Sequence, residues 1–389
     1  MKKIIAVTVP VLIIIACVIA SFSYIGFGKI SASVAGFTFP SDFKKDKMPL
    51  STKNYDRLNE KEKQAYICIF NHIERHPEYI KVPKLSGNEF NNVFFAVKND
   101  NPDMLCFSDS CNMITFLSTC LIELNYNTDV SECTRMQQVL LDRAKSIVGM
   151  MGGIQSDYEK ELFIHDYIVS ACTYESSGNA SNAYGCLVEG EAVCSGYSRA
   201  AMLLLEYAGV ESMLISGTGI SEEEGRISHM WNIVWVDGAP YHLDVTWDDP
   251  RSDFEGSMTH SYFNLTTQEI LLDHEDFSAD IECTQTQANY FRREKLFFES
   301  YNRDVFLRIQ EKLLENIENG MNYIEMMFAT SDAYDDAVSS LIDNSSPFSD
   351  MYRIVNTLND AQIAGIDTSH VNFAKDVGKN YVRIMFDNN

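Results

Sequence analysis

The sequence predicts an α+β fold that combines capped helices with an antiparallel sheet. Three observations support this fold class. Ser or Asn followed three residues later by Glu precedes three helical patterns in the first half of the chain, as in a capping box. Alternating apolar runs flank Asp237-Gly238, a strong signal for a two-residue β-hairpin turn. Apolar residues also recur at helical spacing from Tyr197 to Tyr207.

Length and composition indicate a globular protein with several domains. The chain has 389 residues, of which 46% are hydrophobic and 12% aromatic, so two or three packed cores are expected. The formal net charge of −24 argues against nucleic acid as a partner, because nucleic-acid binders carry basic patches. The same charge disfavours electrostatic docking on anionic lipid.

The first 35 residues form a region of their own. Two lysines precede an uncharged stretch from Ile4 to Gly28, which Lys29 closes. This stretch is longer than the roughly 20 apolar residues that cross a bilayer and the about 7–15 of a signal-peptide core. The positive-inside rule then places the N-terminus in the cytoplasm and the rest outside the cell. We expect an uncleaved anchor in the cell membrane.

Two alternatives stay open for residues 1–35. Ser33-Val34-Ala35 offers the small residues of a signal-peptide cleavage site, and a cleaved signal would give a secreted protein. The stretch Ile14-Ile15-Ala16-Cys17 resembles a bacterial lipobox, and a lipid on Cys17 would give a lipid-anchored form. The apolar run continues past Cys17, which favours the uncleaved anchor.

Residues 36–150 are predicted to be a mostly helical α+β region that begins with a polar linker. Its predicted elements are a helix from Leu58 with Asn59 and Glu62 as capping box, a helix after Ser86 and Glu89, strands over 112–118 and 120–127, and a helix over 134–151.

Residues 276–389 are predicted to be a small C-terminal α/β module. Its predicted elements are a charged helix over 293–320, a strand over 321–329, further helices, and a last strand over 380–386. No cluster of chemically reactive residue types stands in this module, so no role is assigned to it.

Most of the ten cysteines are expected to be buried thiols that pack as small hydrophobes. Cys68, Cys120 and Cys172 lie within apolar segments and are examples of this kind. A disulfide between Cys106 and Cys111, which are close in sequence, is a less favoured alternative for those two residues.

Residues 151–275 contain a cysteine at the point where a turn becomes a helix. Gly196 follows Cys194, and the helical pattern after it runs to Gly209, a good helix stop. In the first turn, free N–H groups and the positive end of the helix dipole favour a thiolate. The same N–H groups suit the oxyanion of a substrate carbonyl. Cys194 is therefore a candidate nucleophile, with simple packing as the alternative.

A nucleophilic thiol needs a base, and the predicted hairpin carries two histidines. If Val236 pairs with Ala239, Asp244 becomes the diagonal neighbour of His229 on one face, about 7–8 Å away. Asp244 would then orient His229 while the other ring nitrogen faces a thiol, as in a Cys–His–Asp triad. His242 shares the face of Asp244 and is a rival for the base.

Three stretches resemble the core of the transglutaminase-like superfamily: AYGCLVEGEAVCSGYSRAAMLLLEYAGV, SHMWNIVWVDGAPYHLDVTWDDP and YFNLT. The pattern is Val-Cys-x-Gly-Tyr, then His-x-Trp-Asn, then Asp-x-Thr-Trp, over about residues 155–275. The resemblance implies a papain-like cysteine-protease/transglutaminase core, with the cysteine helix packed on an antiparallel sheet. It implies Cys194 as nucleophile, His229 as base and Asp244 as orienting acid. The upstream LNEKEKQAY and FNNVFFAVKNDNPD resemble the leader of bacterial membrane-attached members.

Three aromatic residues are candidates for the substrate cleft, with ordinary packing as the alternative: Tyr184, Tyr197 and Trp231. Asp248 and Asp249 are expected to shape a turn rather than bind a metal. Because the sequence shows no zinc-ribbon or EF-hand pattern, we expect no metal site and no cofactor.

The predicted activity is acyl transfer from peptide or protein amides through a thioester. Water as acceptor makes the protein a peptidase or amidase, which we favour, and an amine as acceptor makes it a transglutaminase. Cell-wall peptide is a candidate substrate for an extracellular bacterial protein. One alternative is a peptide- or wall-binding module without turnover. Another is a disulfide between Cys194 and Cys186 that would silence the enzyme reversibly.

Overall fold

The computed structural model describes residues 39–45, 47–221, 225–249, 258–277, 280–343, 350–360 and 366–388. It confirms the α+β class. The chain divides into two compact units, residues 1–138 and 139–389. The predicted domain limits at 150 and 275 stay predictions. The predicted membrane segment lies outside the described residues, and none of the described helices is both long and apolar enough to cross a bilayer.

Unit 1 is built from capped helices and a small antiparallel sheet. Its helices are α1 (Glu60–Phe70) and α2 (Gly87–Asn99), with 3₁₀ turns at Tyr55–Arg57 and Ile73–Arg75. Its strands are β1 (Ile80–Pro83), β2 (Phe107–Thr115) and β3 (Thr119–Tyr126), with β3 in the middle. Both predicted capping boxes are confirmed: the side chains of Asn59 and Ser86 each accept from the backbone N–H three residues on, and their own backbone N–H groups donate to the Glu carboxylate there.

The disulfide of unit 1 joins Cys106 to Cys133, and not to Cys111. Cys111 lies in β2, and along a strand of about 3.3 Å per residue it is carried roughly 15 Å away from Cys106. Cys133 instead lies in the first turn of α3 (Val130–Met150), where the chain comes back to Cys106. The expectation for Cys106 was therefore wrong, whereas Cys68, Cys120 and Cys172 are buried free thiols as predicted.

In unit 2, two helices lie in sequence before a four-stranded antiparallel sheet. They are α4 (Asp157–Ala171), capped by Ser156, and α5 (Cys194–Ala208), which ends at Gly209 with φ 77°. A π-helical turn spans Gly185–Glu189, and two short parallel strands are β4 (Thr173–Tyr174) and β5 (Glu191–Ala192). The sheet consists of β6 (Ser212–Ser221), β7 (Gly225–Val236), β8 (Ala239–Leu243) and β9 (His274–Glu275), in the order β8-β7-β6-β9.

The hairpin between β7 and β8 has the predicted register. Val236 pairs with Ala239, and the turn residues Asp237 and Gly238 have φ values of 51° and 80°. Both values lie in the left-handed region that the favoured two-residue hairpin turn requires.

The rest of unit 2 contains a second four-stranded sheet, in the order β10-β11-β13-β12. Its elements in chain order are α6 (Thr267–Ile270), α7 (Tyr290–Arg293), β10 (Phe297–Phe298), α8 (Arg303–Glu318), β11 (Tyr323–Phe328), α9 (Ser331–Val338), a π-helical turn at Ser339–Asp343, α10 (Asp350–Asp360), β12 (Ile366–Asp376) and β13 (Tyr381–Asn388). The single charged helix predicted over 293–320 is wrong in its first third. Lys295 has a positive φ of 59° and ends the preceding turn, and Asn302 caps the helix that begins at Arg303.

Candidate active site

Cys194 is the first residue of helix α5. Its thiol is half-buried and free. The chain packs closely around this helix start: a Cβ on Gly196 would lie 2.2 Å from the carbonyl oxygen of Ala180 and 2.8 Å from the Cβ of Ala192. Only glycine fits there, which gives the Cys-x-Gly spacing its physical reason.

Hydrogen bonds fasten helix α5 to strand β7. The Ser198 hydroxyl lies 2.7 Å from the carbonyl oxygens of both Cys194 and Met230. Asn232 Nδ2 donates to the Ser198 carbonyl at 3.1 Å. The predicted packing of the cysteine helix on the sheet is thereby confirmed, and the nucleophile is held at a fixed position against the strand that carries His229.

His229 joins the thiol to Asp244. Its Nε2 lies 2.6 Å from Asp244 Oδ2, and its side chain is 1% exposed. Asp244 follows directly after β8, so the predicted diagonal neighbourhood is present. The Cys194 thiol lies close enough to His229 to help raise the pKa of the imidazole, and since Nε2 is engaged by Asp244, Nδ1 is the nitrogen left for sulfur.

The electrostatics of this pair favour a charged imidazole. Burial by itself lowers the pKa of His229, but attraction to Asp244, their hydrogen bond and the Cys194 contact together raise it to about 10. Burial alone would raise the pKa of the Asp244 carboxyl, yet the charge of His229 and the bonds from His229 and His274 hold it well below its usual range. At neutral pH an imidazolium therefore stands between the carboxylate and the thiol.

Asp244 is held by four donors. Its Oδ1 accepts from the backbone N–H groups of Thr246 at 3.0 Å and Trp247 at 3.3 Å. Its Oδ2 accepts from His229 and, at 3.1 Å, from His274 Nε2. All four oxygen lone pairs are thus used, and the carboxylate can neither rotate nor move away from His229.

His274 is a site residue that the sequence analysis missed. Its Nδ1 lies 2.6 Å from Asp273 Oδ1, while its Nε2 faces Asp244. It lies on β9, which pairs with β6 and not with the hairpin. Helical or strand spacing does not point to His274. The signal that could have found it is the adjacent acid–histidine pair Asp273-His274.

Two tryptophans pack beside His229. Trp231 is fully buried and nearly parallel to the imidazole, with ring centroids 5.9 Å apart. Trp247 is half-buried, with its ring centroid 5.2 Å from that of His229. A Cβ on Gly217 or Gly219 of β6 would come within 2.7 Å of the Trp231 and Trp247 rings respectively, so these glycines make room for both indoles. Because Trp231 forms part of the core, its predicted contact with substrate stays a prediction.

His242, the rival base, is engaged elsewhere. Trp231 Nε1 donates to its Nδ1 at 3.0 Å, and its Nε2 lies 3.4 Å from the Thr267 hydroxyl. Burial, followed by the neighbouring His274, lowers the pKa of His242 to about 3. A neutral, fully buried imidazole of this kind has a structural role.

The two candidate tyrosines are also buried. Tyr184 is 8% exposed and Tyr197 is inaccessible, with its hydroxyl donating to Asp249. Contact of either side chain with substrate stays a prediction. Next to Tyr197, the neighbouring Cys186 lowers the pKa of the Cys172 thiol. Cys186 and Cys194 are both free in this structure.

A comparison with protein families identifies the domain that carries these residues. The model of the transglutaminase-like superfamily matches residues 145–245. This segment is a transglutaminase-like domain. The match includes Cys194, His229 and Asp244, and it ends directly after the candidate triad.

Solved structures resemble the chain at low sequence identity. One is an inferred cysteine protease from Cytophaga hutchinsonii, at 13% identity over 35% of this chain and 61% of that chain, with TM-score 0.24. Another is described as a TGase, at 12% identity over 50% of this chain and 61% of that chain, with TM-score 0.26. The chain thus spans about three fifths of either structure. The comparison with curated proteins gave no match.

Proposed function

We propose that this chain is a thiol acyl-transfer enzyme that acts on peptide or protein amides, with Cys194 as nucleophile, His229 as base and Asp244 as orienting acid. The observation that carries the proposal is the position of His229 between the neighbouring Cys194 thiol and a buried Asp244 that receives four hydrogen bonds. A transglutaminase-like domain over the same residues supports it.

The geometry assigns each step of the reaction to a group. The Cys194 thiolate attacks the amide carbonyl, and the oxyanion that forms is met by the backbone N–H groups at the very start of α5. These precede Gly196 and Tyr197, whose N–H groups donate to the Val193 carbonyl. The protonated His229 donates its proton to the leaving amine, and a thioester remains on Cys194. His229, now neutral, takes a proton from the water that attacks the thioester carbonyl. The C–S bond then breaks, and the acid product leaves the Cys194 thiolate beside a protonated His229. Throughout, Asp244 keeps the proton on Nε2 and so leaves Nδ1 for proton transfer.

Water is the acceptor that we favour. The acceptor is decided by access, because a thioester covered by aromatic side chains is protected from hydrolysis. Trp231, which shares the strand face of His229, lies in the core and donates to His242, so its indole is not available as a cover. The half-buried Cys194 therefore supports a peptidase or amidase rather than a transglutaminase.

The proposed place of action is outside the cytoplasm, on a peptide of the cell surface. The disulfide between Cys106 and Cys133 supports an oxidising compartment, since disulfides are rare in the cytosol. The lysines and the long uncharged stretch at the N-terminus support attachment to the membrane. Cell-wall peptide is the substrate class that this location favours.

Alkylation of the full chain by iodoacetamide tests the proposal. Cys194 is expected to react much faster than any other cysteine at pH 6, as followed by peptide mass spectrometry. Cys111 is the matched control, because it is also half-buried and reduced but lies in unit 1. A Cys194 that reacts no faster than Cys111 would contradict the enzymatic proposal and favour a peptide-binding module.

A further inference from the structure

A second cluster of histidine and aspartate shares no residue with the candidate triad. His165 and Asp166 lie on helix α4, and His260 follows the hairpin region in the chain. Asp166 Oδ1 is 2.9 Å from both His165 Nδ1 and His260 Nε2. These three atoms, two imidazole nitrogens and one carboxylate oxygen, all lie within 4.8 Å of one another.

The other nitrogen of each ring faces a carboxylate. His165 Nε2 lies 3.2 Å from Asp248 Oδ2, and His260 Nδ1 is bonded to Glu325 Oε1. Metal-binding histidines in proteins almost always donate their second ring N–H to such a carboxylate, which fixes the tautomer and makes the inner nitrogen a better ligand. Here both histidines have this outer support, and both inner nitrogens converge on Asp166.

The rings are fixed before any ligand arrives. His260 stacks on Tyr290 with centroids 3.8 Å apart and planes inclined by 5°. Glu325 in turn accepts from the Tyr381 hydroxyl at 3.0 Å. Both histidine side chains are buried, whereas the Asp166 side chain is 40% exposed. The cluster is therefore rigid on the imidazole side and open to solvent at the carboxylate, which gives an ion an entry path.

Without an ion, every ring nitrogen of this cluster has to carry a proton. Carboxylate oxygens accept only, so hydrogen bonds alone would need an N–H on all four ring nitrogens and hence two cationic rings with centroids 4.9 Å apart. One divalent ion in place of the two inner protons has the same total charge and leaves both outer N–H bonds intact.

We propose that His165, Asp166 and His260 bind one divalent transition-metal ion, supported by Asp248 and Glu325 as outer carboxylates. Two imidazoles and one carboxylate with open positions form a donor set that suits zinc or iron(II), and imidazole ligands select against magnesium and calcium. Bound there, the ion would join helix α4 to the segment after the hairpin and, through Glu325, to β11.

Cobalt(II) is the probe for this site, because its visible absorption reports nitrogen and oxygen ligands. The purified full chain is stripped with a chelator, titrated with Co²⁺ and then with Zn²⁺ or Mg²⁺. We expect one equivalent of Co²⁺ with visible bands, displaced by Zn²⁺ and not by Mg²⁺. Asp166→Asn should abolish the bands, and Asp248→Asn should weaken affinity about 10–100-fold.

The control is His274→Gln, which alters the other cluster of histidine and aspartate in the described residues, formed by His229, Asp244 and His274. It should leave Co²⁺ binding unchanged. Circular dichroism checks folding, and Asp248→Asn gives the graded result if Asp166→Asn does not fold. The proposal is overturned if the wild type binds no Co²⁺ or if Asp248→Asn binds Co²⁺ as tightly as the wild type. It is also overturned if His274→Gln loses Co²⁺ binding. A sulfur-to-cobalt charge-transfer band would likewise overturn it, because cysteines would then hold the ion.

Discussion

Replacement of Asp244 by asparagine changes which nitrogen of His229 carries the proton. Oδ1 of Asp244 receives two backbone N–H groups, so the oxygen of an asparagine amide has to occupy that position. The amide NH₂ then faces His229 Nε2 and His274 Nε2, which both become acceptors. The proton of neutral His229 moves to Nδ1, on the side of the thiol, and His229 can no longer accept the thiol proton.

The size of the effect follows from the charges. Asp244 helps to raise the pKa of His229 to about 10 from an ordinary value of about 6.5. Because the raised pKa favours the charged form, the imidazolium is present at pH 6 to 9 and is lost only as the pH rises through about 10. In Asp244→Asn no carboxylate offsets burial, which is the largest influence on the pKa of His229 and lowers it, so we expect the imidazole to be neutral at pH 6. A positioned base that accepts the thiol proton typically contributes about 100-fold or more, so we expect the rate of Cys194 modification to fall about 100-fold.

The assay is the second-order rate of iodoacetamide modification of Cys194 at pH 6, with urea unfolding to check that the variant is folded. Asp237→Asn is the matched control, because it makes the same chemical change in the exposed turn of the same hairpin and asparagine suits that turn. Equal rates for Asp244→Asn and wild type at pH 6 would refute the reasoning, because the carboxylate would then have no part in activating the thiol.

Three further changes test the packing and electrostatics of the fold. Gly196→Ala places a Cβ 2.2 Å from the Ala180 carbonyl oxygen, so it should lower the free energy of unfolding in urea by about 1–3 kcal/mol and also slow the alkylation of Cys194. Gly149→Ala, in open space on a helix, is the control and should be neutral or stabilising by up to about 1 kcal/mol. Equal effects of the two substitutions would contradict the packing argument. Burial raises the pKa of Glu161 to about 8, so the native state keeps a proton that the unfolded state loses above about pH 4.5. The free energy of unfolding of wild type should therefore fall by roughly 3 kcal/mol between pH 5.5 and 8. Glu161→Gln should remove this slope, and parallel pH profiles of wild type and variant would contradict the assignment to Glu161. Cys133→Ser removes the disulfide of unit 1, which joins residues 27 positions apart, and should lower the free energy of unfolding of that unit by about 3–4 kcal/mol relative to oxidised wild type. Wild type measured under reducing conditions is the control and should match the variant.

The elements that the sequence predicted well are those encoded within a few residues. Asn59 and Ser86 cap helices through bonds to the third residue on, and Asp237-Gly238 supplies the positive φ values of its turn. The helix predicted over 293–320 begins too early, because helical spacing does not show that Lys295 adopts a left-handed conformation.

The candidate triad was accessible from the sequence because a hairpin of fixed register carries two of its members. Once Val236 pairs with Ala239, strand geometry brings Asp244, the first residue after β8, to the face of His229, and the turn that follows fixes its carboxylate. Cys194 was assigned by its place at a helix start, and the hydrogen bonds of Ser198 show how that helix meets the strand.

Hydrogen bonds and side-chain periodicity over short separations encode the α+β class, the helix caps, the hairpin register and the residue types of the site, so these features could be predicted from the sequence. Packing between distant segments brings His274 to Asp244 from another strand, buries Trp231 in the core and places His260 beside His165 and Asp166. These contacts join residues 30 and 94 positions apart, and which distant segments meet depends on the packing of the whole unit, not on any local pattern.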